Sequence, residues 1–407
     1  MSLDINKIRK DFPILEHQVY GNHYVYFDSA ATGLRSLPVL HSVEKIYREF
    51  NGNPHRGAHY MSNQTTVAYE AVRDKVQQFI HAKEREEILF TKGTTESINL
   101  VAYSFGEAFV NEGDEIIVSE MEHHANIVPW QLLAGRKKAT LKVLPITDEG
   151  ELRLDLLDGM ITDKTKLVAF NWVSNVLGTV NPLEQIVKIA HARNVPVLID
   201  GAQGIQHSAI DVHALDIDFL AFSGHKLYGP TGVGCLYGKR KWLEQMPPFL
   251  AGGEMIEKVA FSGTSFNVIP YKFEAGTPNF TEVIGLGAAI DYINELGMAN
   301  IEAYEHELLS YASAKMKTIK GIRFIGEAKH KESVISFLVG TIHPYDMGMF
   351  LDKMGFAVRT GHHCAQPLID RLGIPGTVRI SLAFYNTKEE IDLFVEAVRK
   401  TIAMLEG

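Results

Sequence analysis

Lys226 lies where an α/β enzyme would place a Schiff-base nucleophile. It belongs to the run Ser-Gly-His-Lys-Leu-Tyr-Gly-Pro-Thr-Gly at 223–232, directly after the apolar segment 219–222. If that segment is a strand of a parallel sheet, Lys226 lies near its carboxyl end, beside the ligand crevice. Partial burial there would lower the pKa of the amine and make it a nucleophile. A loop lysine alone is more often a solvated surface residue, so this interpretation depends on its surroundings.

Two polar residues, Asp200 and Gln203, follow the predicted strand 195–199. A pyridoxal cofactor needs a carboxylate beside its ring nitrogen to keep that nitrogen protonated, and Asp200 would supply one. Gln203 could hydrogen-bond the phenolic oxygen of the same ring. An aspartate between a strand and a helix is about equally typical of a helix N-cap, so this pair needs the support of other residues.

The turn Gly-Thr-Thr-Glu at 93–96 is a candidate phosphate site. It follows the predicted strand 88–90 and opens a helix, so backbone N–H groups and the hydroxyls of Thr94 and Thr95 would converge there. The same residues also form an ordinary capping box. His123, beyond the next predicted strand, is a candidate for stacking on a cofactor ring, although a lone loop histidine is more often solvated.

The run Arg-Thr-Gly-His-His-Cys-Ala-Gln-Pro at 359–367 contains the second candidate site. A cysteine beside two histidines in a loop that starts with glycine could have its thiolate favoured, which would make Cys364 a nucleophile. A metal site formed by His362, His363 and Cys364 is the weaker interpretation. Adjacent residues seldom all turn towards one ion, and zinc-type spacings such as C-x2-C are absent. Cys235, in an apolar run, is expected to be a buried thiol.

Arg379 interrupts the apolar pattern of a predicted strand at 377–382. A buried guanidinium needs an anionic partner, and bidentate capture of a substrate carboxylate would supply one. A structural salt bridge is an equally typical use of such an arginine. The residue alone therefore leaves both interpretations open.

These candidates need a scaffold, and the hydrophobic pattern from about residue 87 predicts one. Short apolar runs alternate with amphipathic stretches, which predicts an α/β fold with a mostly parallel sheet covered on both faces. The predicted strands are 88–90, 115–118, 141–144, 167–170, 195–199 and 219–222, and the predicted helices between them include 96–110 and 183–193.

After about residue 281 the pattern changes to that of a smaller α+β domain. One or two long helices are predicted over 283–292 and 301–319, and a last helix at 388–405. Short strands are predicted at 334–339, 356–359 and 377–382. We therefore expect an N-terminal segment at 1–20 packing on the body, a large cofactor-binding domain at 21–285, and a small C-terminal domain at 286–407 that carries the cysteine loop.

The composition restricts the class of protein. The chain has 407 residues, 46% of them apolar, and 40 basic against 49 acidic side chains give a net charge of −9. A globular protein with substantial cores is expected, and neither nucleic acid nor a membrane is expected as a partner. Two cysteines suit a reducing compartment, and neither a signal peptide nor a membrane span is visible, so a cytoplasmic protein is predicted.

Taken together, these residues resemble those of the fold-type I pyridoxal-phosphate enzymes of the class V aminotransferase family. More narrowly, the chain resembles the group II, SufS-type cysteine desulfurases over essentially its whole length. Arg-x-Gly-His-His-Cys-Ala at 359–365 is the strongest signal, because group I enzymes carry their cysteine in a longer, Ser-rich loop. The other matching motifs lie at 28–31, 55–57, 93–96, 121–126, 173–178, 200–203, 223–226 and 273–278.

The resemblance implies a fold and a role for each matching residue. The fold would be a large domain with a mostly parallel seven-stranded sheet flanked by helices, plus a smaller α+β C-terminal domain. The catalytic residues would be Lys226, which holds the cofactor and later moves the Cα proton, Cys364, which accepts sulfur, and His123, which stacks on the ring. Pyridoxal 5'-phosphate would be bound by Thr94, Thr95, His123, Asp200, Gln203, Ser223, His225, Lys226 and, from a second subunit, Thr277. The substrate would be bound by Asn175, Arg359, His362 and Arg379.

The implied activity is the removal of sulfur from L-cysteine, which yields L-alanine and a persulfide on Cys364 for iron–sulfur cluster assembly. The implied partners are a second copy of the chain in a homodimer, a SufE- or SufU-type sulfur acceptor and an iron–sulfur scaffold.

Three alternative functions stay open. The site could act on L-selenocysteine as a selenocysteine lyase, or the chain could be a class V aminotransferase or carbon–sulfur lyase in which Cys364 is incidental. A non-catalytic interaction protein is the third, and the joint presence of Lys226, Asp200 and His123 argues against it. No metal ion is expected in the site.

Overall fold

The protein is described here by a computed structural model that covers residues 3–406. Residues 1 and 2 of the predicted N-terminal segment and residue 407 of the predicted small domain lie outside the described residues. Among residues 3–406, no helix is both long enough and apolar enough to cross a membrane.

The helices alternate with strands through the first two thirds of the chain. The α-helices are α1 (Ile5–Arg9), α2 (Leu37–Glu49), α3 (Tyr60–Phe79), α4 (Thr94–Phe109), α5 (Val128–Lys137), α6 (Leu154–Met160), α7 (Leu183–His191), α8 (Arg240–Leu243), α9 (Phe280–Leu296), α10 (Met298–Met316), α11 (Pro344–Lys353), α12 (Gln366–Leu372) and α13 (Lys388–Glu406). The strands are β1 (Gln18–Val19), β2 (Asn22–His23), β3 (Val25–Tyr26), β4 (Ile88–Thr91), β5 (Glu115–Ser119), β6 (Thr140–Leu144), β7 (Thr165–Asn171), β8 (Val197–Asp200), β9 (Phe219–Ser223), β10 (Gly234–Gly238), β11 (Ile256–Ala260), β12 (Gly263–Phe266), β13 (Ile322–Ile325), β14 (Val334–Val339), β15 (Phe356–Ala357), β16 (Arg359–Gly361) and β17 (Thr377–Ser381).

Strands β4 to β10 form one seven-stranded sheet in the order β4-β10-β9-β8-β7-β5-β6. The five strands from β9 to β6 are parallel, and β10 runs antiparallel to both of its neighbours. This topology confirms the predicted α/β fold. Because the strands are parallel, the residues that end β5, β7, β8 and β9 lie at one edge of the sheet, and these are Ser119, Asn171, Asp200 and Ser223.

The sheet is apolar on both faces because helices cover each of them. On one face, α4 and α5 pack through Ile98, Phe105 and Trp130. On the other face, Ile186 of α7 and Ile290 of α9 belong to the larger core. All five residues of β9 are buried, and such two-sided burial produces the continuous apolar runs seen in the sequence.

A four-stranded antiparallel sheet, in the order β13-β14-β17-β16, lies in the C-terminal part of the chain. It packs with α10, α11 and α13 around Leu308, Leu351 and Phe394. The N-terminal part of the chain contributes to both cores, since Phe12 packs in the larger core and Val25 of β3 packs in this smaller one. Strand β3 also pairs in parallel with β15.

The predicted strands of the large sheet are present, with bounds that agree to within two residues. The predicted strand at 356–359 is divided into β15 and β16, and the antiparallel β10 was not indicated by the pattern. The predicted domain boundary at 285 falls inside α9, where Val283 packs in the larger core, whereas Leu308 of α10 packs in the smaller one. The division into domains stays a prediction, and this packing favours a boundary near Gly297, between the two helices.

Gly234 allows two backbone segments to approach each other beside the sheet edge. A Cβ atom at Gly234 would lie 2.5 Å from Gly93 Cα and 2.5 Å from the Phe222 carbonyl oxygen. We expect Gly234→Ala to lower the free energy of unfolding by about 1–3 kcal/mol, because backbone atoms must shift to admit the methyl group. Urea denaturation followed by circular dichroism measures this change.

Gly135→Ala is the matched control, because Gly135 lies in α5 and an added Cβ would meet nothing within 4 Å. This substitution should leave stability unchanged or raise it by about 0.5–1 kcal/mol, since alanine favours a helix more than glycine does. Equal urea midpoints for both variants would contradict the close approach at Gly234.

Candidate active site

A cavity of about 250 Å³ opens at the carboxyl edge of the parallel strands. The predicted lysine site and the predicted cysteine site share this cavity, although they are distant in the sequence. Its lining residues are Ala30, Ala31, Thr94, Thr95, His123, Ala125, Asn171, Val173, Asn175, Asp200, Ala202, Gln203, Ser223, His225, Lys226, Arg359, His363, Cys364 and Arg379.

Lys226 faces this cavity from the turn that follows the end of β9 at Ser223. Burial lowers the pKa of Lys226 to about 8, although the carboxylate of Asp200 opposes the shift. The guanidinium groups of Arg379 and Arg359 also favour the neutral amine. A substantial fraction of the amine is therefore unprotonated near pH 8, as a nucleophile requires.

Asp200 ends β8 and is 4% exposed. Its Oδ1 accepts a hydrogen bond from the Ala202 N–H at 2.9 Å. Burial raises the pKa of Asp200, although the Ala202 N–H and the charge of Lys226 oppose the shift. A further cation beside this carboxylate would stabilise its charged form, and a protonated ring nitrogen is such a cation.

The N-terminus of α4 and the end of β9 form a cradle of hydrogen-bond donors. The N–H and the hydroxyl of Thr94 each lie 2.8 Å from Ser223 Oγ, and Thr95 and His225 line the same place. Gly93 precedes the helix with a φ of +150°, and a Cβ there would lie 3.1 Å from Ser223 Oγ. Backbone N–H groups at a helix N-terminus favour a phosphate group.

His123 presents a neutral ring to the cavity. Burial and the charge of Lys226 lower the pKa of His123 to about 3. Its Nδ1 accepts a hydrogen bond from the Ala125 N–H at 3.0 Å, so the ring is held by its own turn. Gln203 is held as well, because its Nε2 donates to the Ala30 carbonyl oxygen at 2.7 Å. Both side chains therefore have fixed positions in the cavity wall.

Asp28 joins the two arginines of the cavity, although the sequence analysis assigns it no role beyond its place in a motif. Arg359 Nε and Nη2 donate to Asp28 Oδ2 at 3.1 and 3.0 Å, and Arg379 Nη2 donates to Asp28 Oδ1 at 3.1 Å. Arg379 is 2% exposed, and burial lowers its pKa although Asp28 opposes the shift. The only sequence signal for the Arg379–Asp28 contact was that a buried arginine needs an anionic partner.

Some buried polar atoms at this end of the cavity have no hydrogen-bond partner among residues 3–406. They include Arg379 Nε, Asn175 Oδ1 and His363 Nδ1. Arg379 Nη1 donates to the Asn175 carbonyl oxygen at 2.8 Å, and Asn175 Nδ2 donates to the His363 carbonyl oxygen at 2.7 Å. Arg379, Asn175 and His363 thus form one connected group. Their three unpaired atoms could form hydrogen bonds with a small polar substrate.

Cys364 lies on the loop between β16 and α12, where it is exposed and lines the cavity. His363 and Cys364 both have left-handed backbone conformations, with φ of +53° and +56°, which costs a non-glycine residue about 1 kcal/mol or more. The loop is held by its contacts, since the Cys364 carbonyl oxygen accepts from the His124 N–H at 2.7 Å. The His363 Nε2 also lies 2.8 Å from Thr377 Oγ1. Cys235, by contrast, is a buried free thiol, as expected.

Two predicted site residues lie outside the cavity. His362 is exposed, and its neighbour His363 lines the cavity instead. Thr277 is also exposed and lies in a separate surface groove beside Lys92 and Gly276. The roles of His362 and Thr277 stay predictions, and Thr277 was predicted to act from a second subunit.

Glu122 is a further buried residue that sequence reasoning missed, although it adjoins His123 in the same motif. Its Oε1 accepts from the Asn171 N–H at 3.0 Å, and its Oε2 accepts from Asn126 Nδ2 at 2.7 Å. Burial raises the pKa of Glu122 to about 8, and the charge of Asp200 contributes to the shift. Glu122 thus ties the turn that follows β5 to the last residue of β7.

The donor set of the cavity fits pyridoxal 5'-phosphate. A lysine with a lowered pKa, a buried carboxylate and a neutral imidazole lie in one cavity. The donors at the N-terminus of α4 would hold the phosphate. The fold and the site together define an α/β enzyme that uses this cofactor.

Comparisons with known proteins agree with this class. Residues 25–394 match the aminotransferase class-V family. The chain is 49% identical over 402 residues to a cysteine desulfurase of Dickeya dadantii, an alignment that covers 98% of this chain and 97% of that protein. It is 47% identical over 400 residues to a longer cysteine desulfurase of Synechococcus elongatus, of which it spans 64%. The crystal structure of the cysteine desulfurase CsdA (S-sulfonic acid) from Escherichia coli superimposes with a TM-score of 0.92 at 40% identity, covering 99% of this chain and 100% of that one.

The chain therefore belongs to the class-V aminotransferase family. Within that family it is a cysteine desulfurase, with pyridoxal 5'-phosphate as its cofactor. These findings confirm the resemblance that the motifs indicated.

The lowered pKa of Lys226 predicts how the cofactor-free protein captures pyridoxal 5'-phosphate. Because only the neutral amine attacks, the rate of covalent capture should rise with pH, reach half its maximum near pH 8 and then level off. Stopped-flow absorbance of added cofactor measures this rate. Borohydride reduction and peptide mass analysis should place the label on Lys226. A rate that keeps rising to the ordinary pKa of a lysine, about 10.4, would contradict the effect of burial.

Proposed function

We propose that this cysteine desulfurase moves sulfur from L-cysteine onto Cys364, and that the cavity residues divide the work as follows. The observation that carries the proposal is that Lys226 and Cys364 line one cavity although they lie on different parts of the fold. One supplies an amine of lowered pKa and the other supplies an exposed thiol. Transfer between a bound amino acid and a thiol needs both groups near the same substrate.

Arg379 binds the substrate carboxylate in this proposal. Its Nε is buried and has no partner among the described residues, and it lies beside Asn175, whose Oδ1 is also without a partner. Arg359 is partly exposed, and its pairing with Asp28 leaves it able to reach the entering carboxylate. His362 would contribute from the rim of the cavity, because it is exposed on the same loop as Cys364.

The cradle at α4 and the residues Asp200, Gln203 and His123 hold pyridoxal 5'-phosphate in this proposal. When bound, the cofactor withdraws electrons from the substrate Cα and so weakens the bonds around it. Lys226 Nζ would hold the cofactor, and its amine would take the substrate Cα proton as a general base. A lysine pKa near 8 serves this task, because the amine can both accept and return a proton near neutral pH.

Cys364 is the sulfur acceptor within the chain. Its thiolate attacks the substrate sulfur, a sulfur–sulfur bond forms, and the carbon–sulfur bond breaks with its electron pair staying on carbon. That carbon takes up a proton, so L-cysteine and the Cys364 thiol become L-alanine and a Cys364 persulfide. Atoms and electrons balance without an external oxidant.

We also propose a homodimer in which Thr277 of a second copy completes the phosphate site. Thr277 is exposed and does not line the cavity of its own chain. The cradle at Thr94 and Thr95 opens onto a surface pocket that another chain would cover. The exposed side chains of Val259 and Phe261 near the β11–β12 hairpin would be buried by the same association.

The persulfide sulfur leaves through a protein acceptor of the SufE or SufU type towards an iron–sulfur scaffold. The exposure of Cys364 supports this transfer, since a docked partner can reach it. The free thiols of Cys235 and Cys364 support a reducing, cytoplasmic location. L-selenocysteine would fit the same contacts, and parallel assays with both amino acids distinguish a desulfurase from a selenocysteine lyase.

Incubation of the cofactor-loaded protein with L-cysteine, in the absence of any acceptor, tests the proposal. We expect about one alanine per chain and one extra sulfur on the peptide that contains Cys364, as measured by amino-acid analysis and mass spectrometry. Cys364→Ala should form no persulfide and should lose alanine formation by about 100-fold or more. Lys226→Ala should form neither product.

Cys235→Ala is the matched control, because it removes the other thiol at a buried position away from the cavity. It should form alanine and persulfide as the unmodified chain does. Alanine from Cys364→Ala at the unmodified rate would indicate direct elimination and overturn the role of Cys364. Transfer of the amino group to a keto acid would indicate an aminotransferase instead.

A further inference from the structure

A second group of ligand-type side chains lies on α10, away from the active-site cavity. Glu302 and His306 are four residues apart and so share one face of this helix. Glu332, just before β14, reaches the same place, and one ligand atom from each of the three side chains lies within 4.8 Å of the others. The group combines two carboxylates with one imidazole, which are donors that zinc and related divalent ions prefer.

Glu332 is firmly positioned, and one of its oxygens is unused. Its N–H donates to the Gly178 carbonyl oxygen at 2.9 Å, and its Oε1 accepts from Ser208 Oγ at 2.8 Å. Its Oε2 is buried and has no hydrogen-bond partner among the described residues, although the whole residue is only 3% exposed. A buried carboxylate oxygen without a donor is costly, so a ligand at this atom would be favourable.

The spacing of Glu332 and His306 fits a shared ion. Glu332 Oε2 and His306 Nε2 are 3.4 Å apart, which is within ion-pair distance, but they do not form a hydrogen bond. Two ligands about 2.0–2.1 Å from a tetrahedral ion are separated by about 3.4 Å. Glu302 is only half-buried, so a rotation of its side chain can bring its oxygen to the third position.

A further buried pair lies beneath this group. His207 Nδ1 lies 2.5 Å from Glu305 Oε2, and both residues are buried. Glu305 is therefore already paired, whereas Glu302 forms no salt bridge with another residue in the described range 3–406 and can act as the third ligand.

We propose that Glu302, His306 and Glu332 bind a divalent transition-metal ion of the zinc class, with two carboxylate oxygens and one imidazole nitrogen as ligands. Three protein ligands leave a fourth position for water. The ion would tie α10 to the start of β14. Through Ser208 and Gly178, which hold Glu332, it would also tie the small sheet to the connections that follow β7 and β8.

Zinc binding to the cofactor-loaded protein tests this proposal. The measurements use a Cys364→Ser background, because the exposed thiol would otherwise compete for the metal. Calorimetric titration with zinc chloride, metal content after desalting and the thermal unfolding midpoint are compared with those of His306→Gln and Glu302→Gln. Both residues are accessible enough for these variants to fold. His41→Gln, which changes an exposed histidine on another helix, is the matched control.

We expect one zinc ion per chain in the background protein and in His41→Gln, with a rise in the unfolding midpoint. His306→Gln and Glu302→Gln should each weaken binding by about tenfold or more and lose that rise. Zinc retained with equal affinity by His306→Gln would place the ion elsewhere, for example on the active-site histidines, and would overturn the proposal. Failure of the background protein to retain zinc would overturn it as well.

Discussion

The register between β8 and β9 places a buried carboxylate and an amine at the same edge of one sheet, and the rest of the active site depends on that pair. Asp200 lies opposite Ala221. Lys226 lies three residues after Ser223, the end of β9, and Gly224 and His225 form the turn between them. Burial disfavours each charge, and each charge partly offsets the penalty on the other. The result is an amine that can lose its proton near neutral pH beside an anion that can stabilise a cationic ring.

The segment from Val25 to Ala31 connects this part of the active site to the small sheet. β3 pairs with β15, the Ser381 N–H donates to the Phe27 carbonyl oxygen at 2.8 Å, and Asp28 binds both arginines. Two residues further on, the Ala30 carbonyl oxygen accepts from Gln203 in the cavity wall. The arginines that would bind substrate and the residues that would bind cofactor are therefore held by one continuous stretch of chain. Movement of the small sheet would change both.

The parallel strands and several site residues could be predicted, because buried strands have a recognisable apolar sequence pattern. The parallel strands are covered on both faces and so appear as short apolar runs separated by helices. Strand β10 follows β9 without an intervening helix, so a search for alternating strands and helices does not find it. Lys226, Asp200 and Cys364 stand out because their side chains can do chemistry at the ends of such runs. Asp28 does not, since its partners are 331 and 351 positions away and only the folded chain brings them together.

Local backbone conformation limited the prediction in the cysteine loop. His362 and His363 are adjacent and chemically identical, but in the folded loop, where His363 has a left-handed φ, the ring of His363 lines the cavity and that of His362 does not. The domain boundary shows the same limit, because α9 is apolar over a long stretch and its sequence does not reveal which core it packs against. Both outcomes depend on tertiary contacts that no local pattern contains.

The most direct test of the central claim is the Asp200→Asn variant, compared with the unmodified chain in a single turnover. The amide keeps the shape of the side chain and removes its charge, so cofactor uptake through Lys226 and the α4 cradle should persist. We expect alanine formation from L-cysteine to fall by about 100-fold or more, because the carboxylate no longer stabilises a protonated ring nitrogen. Alanine formation within about twofold of the unmodified chain, with the cofactor fully bound, would contradict the account.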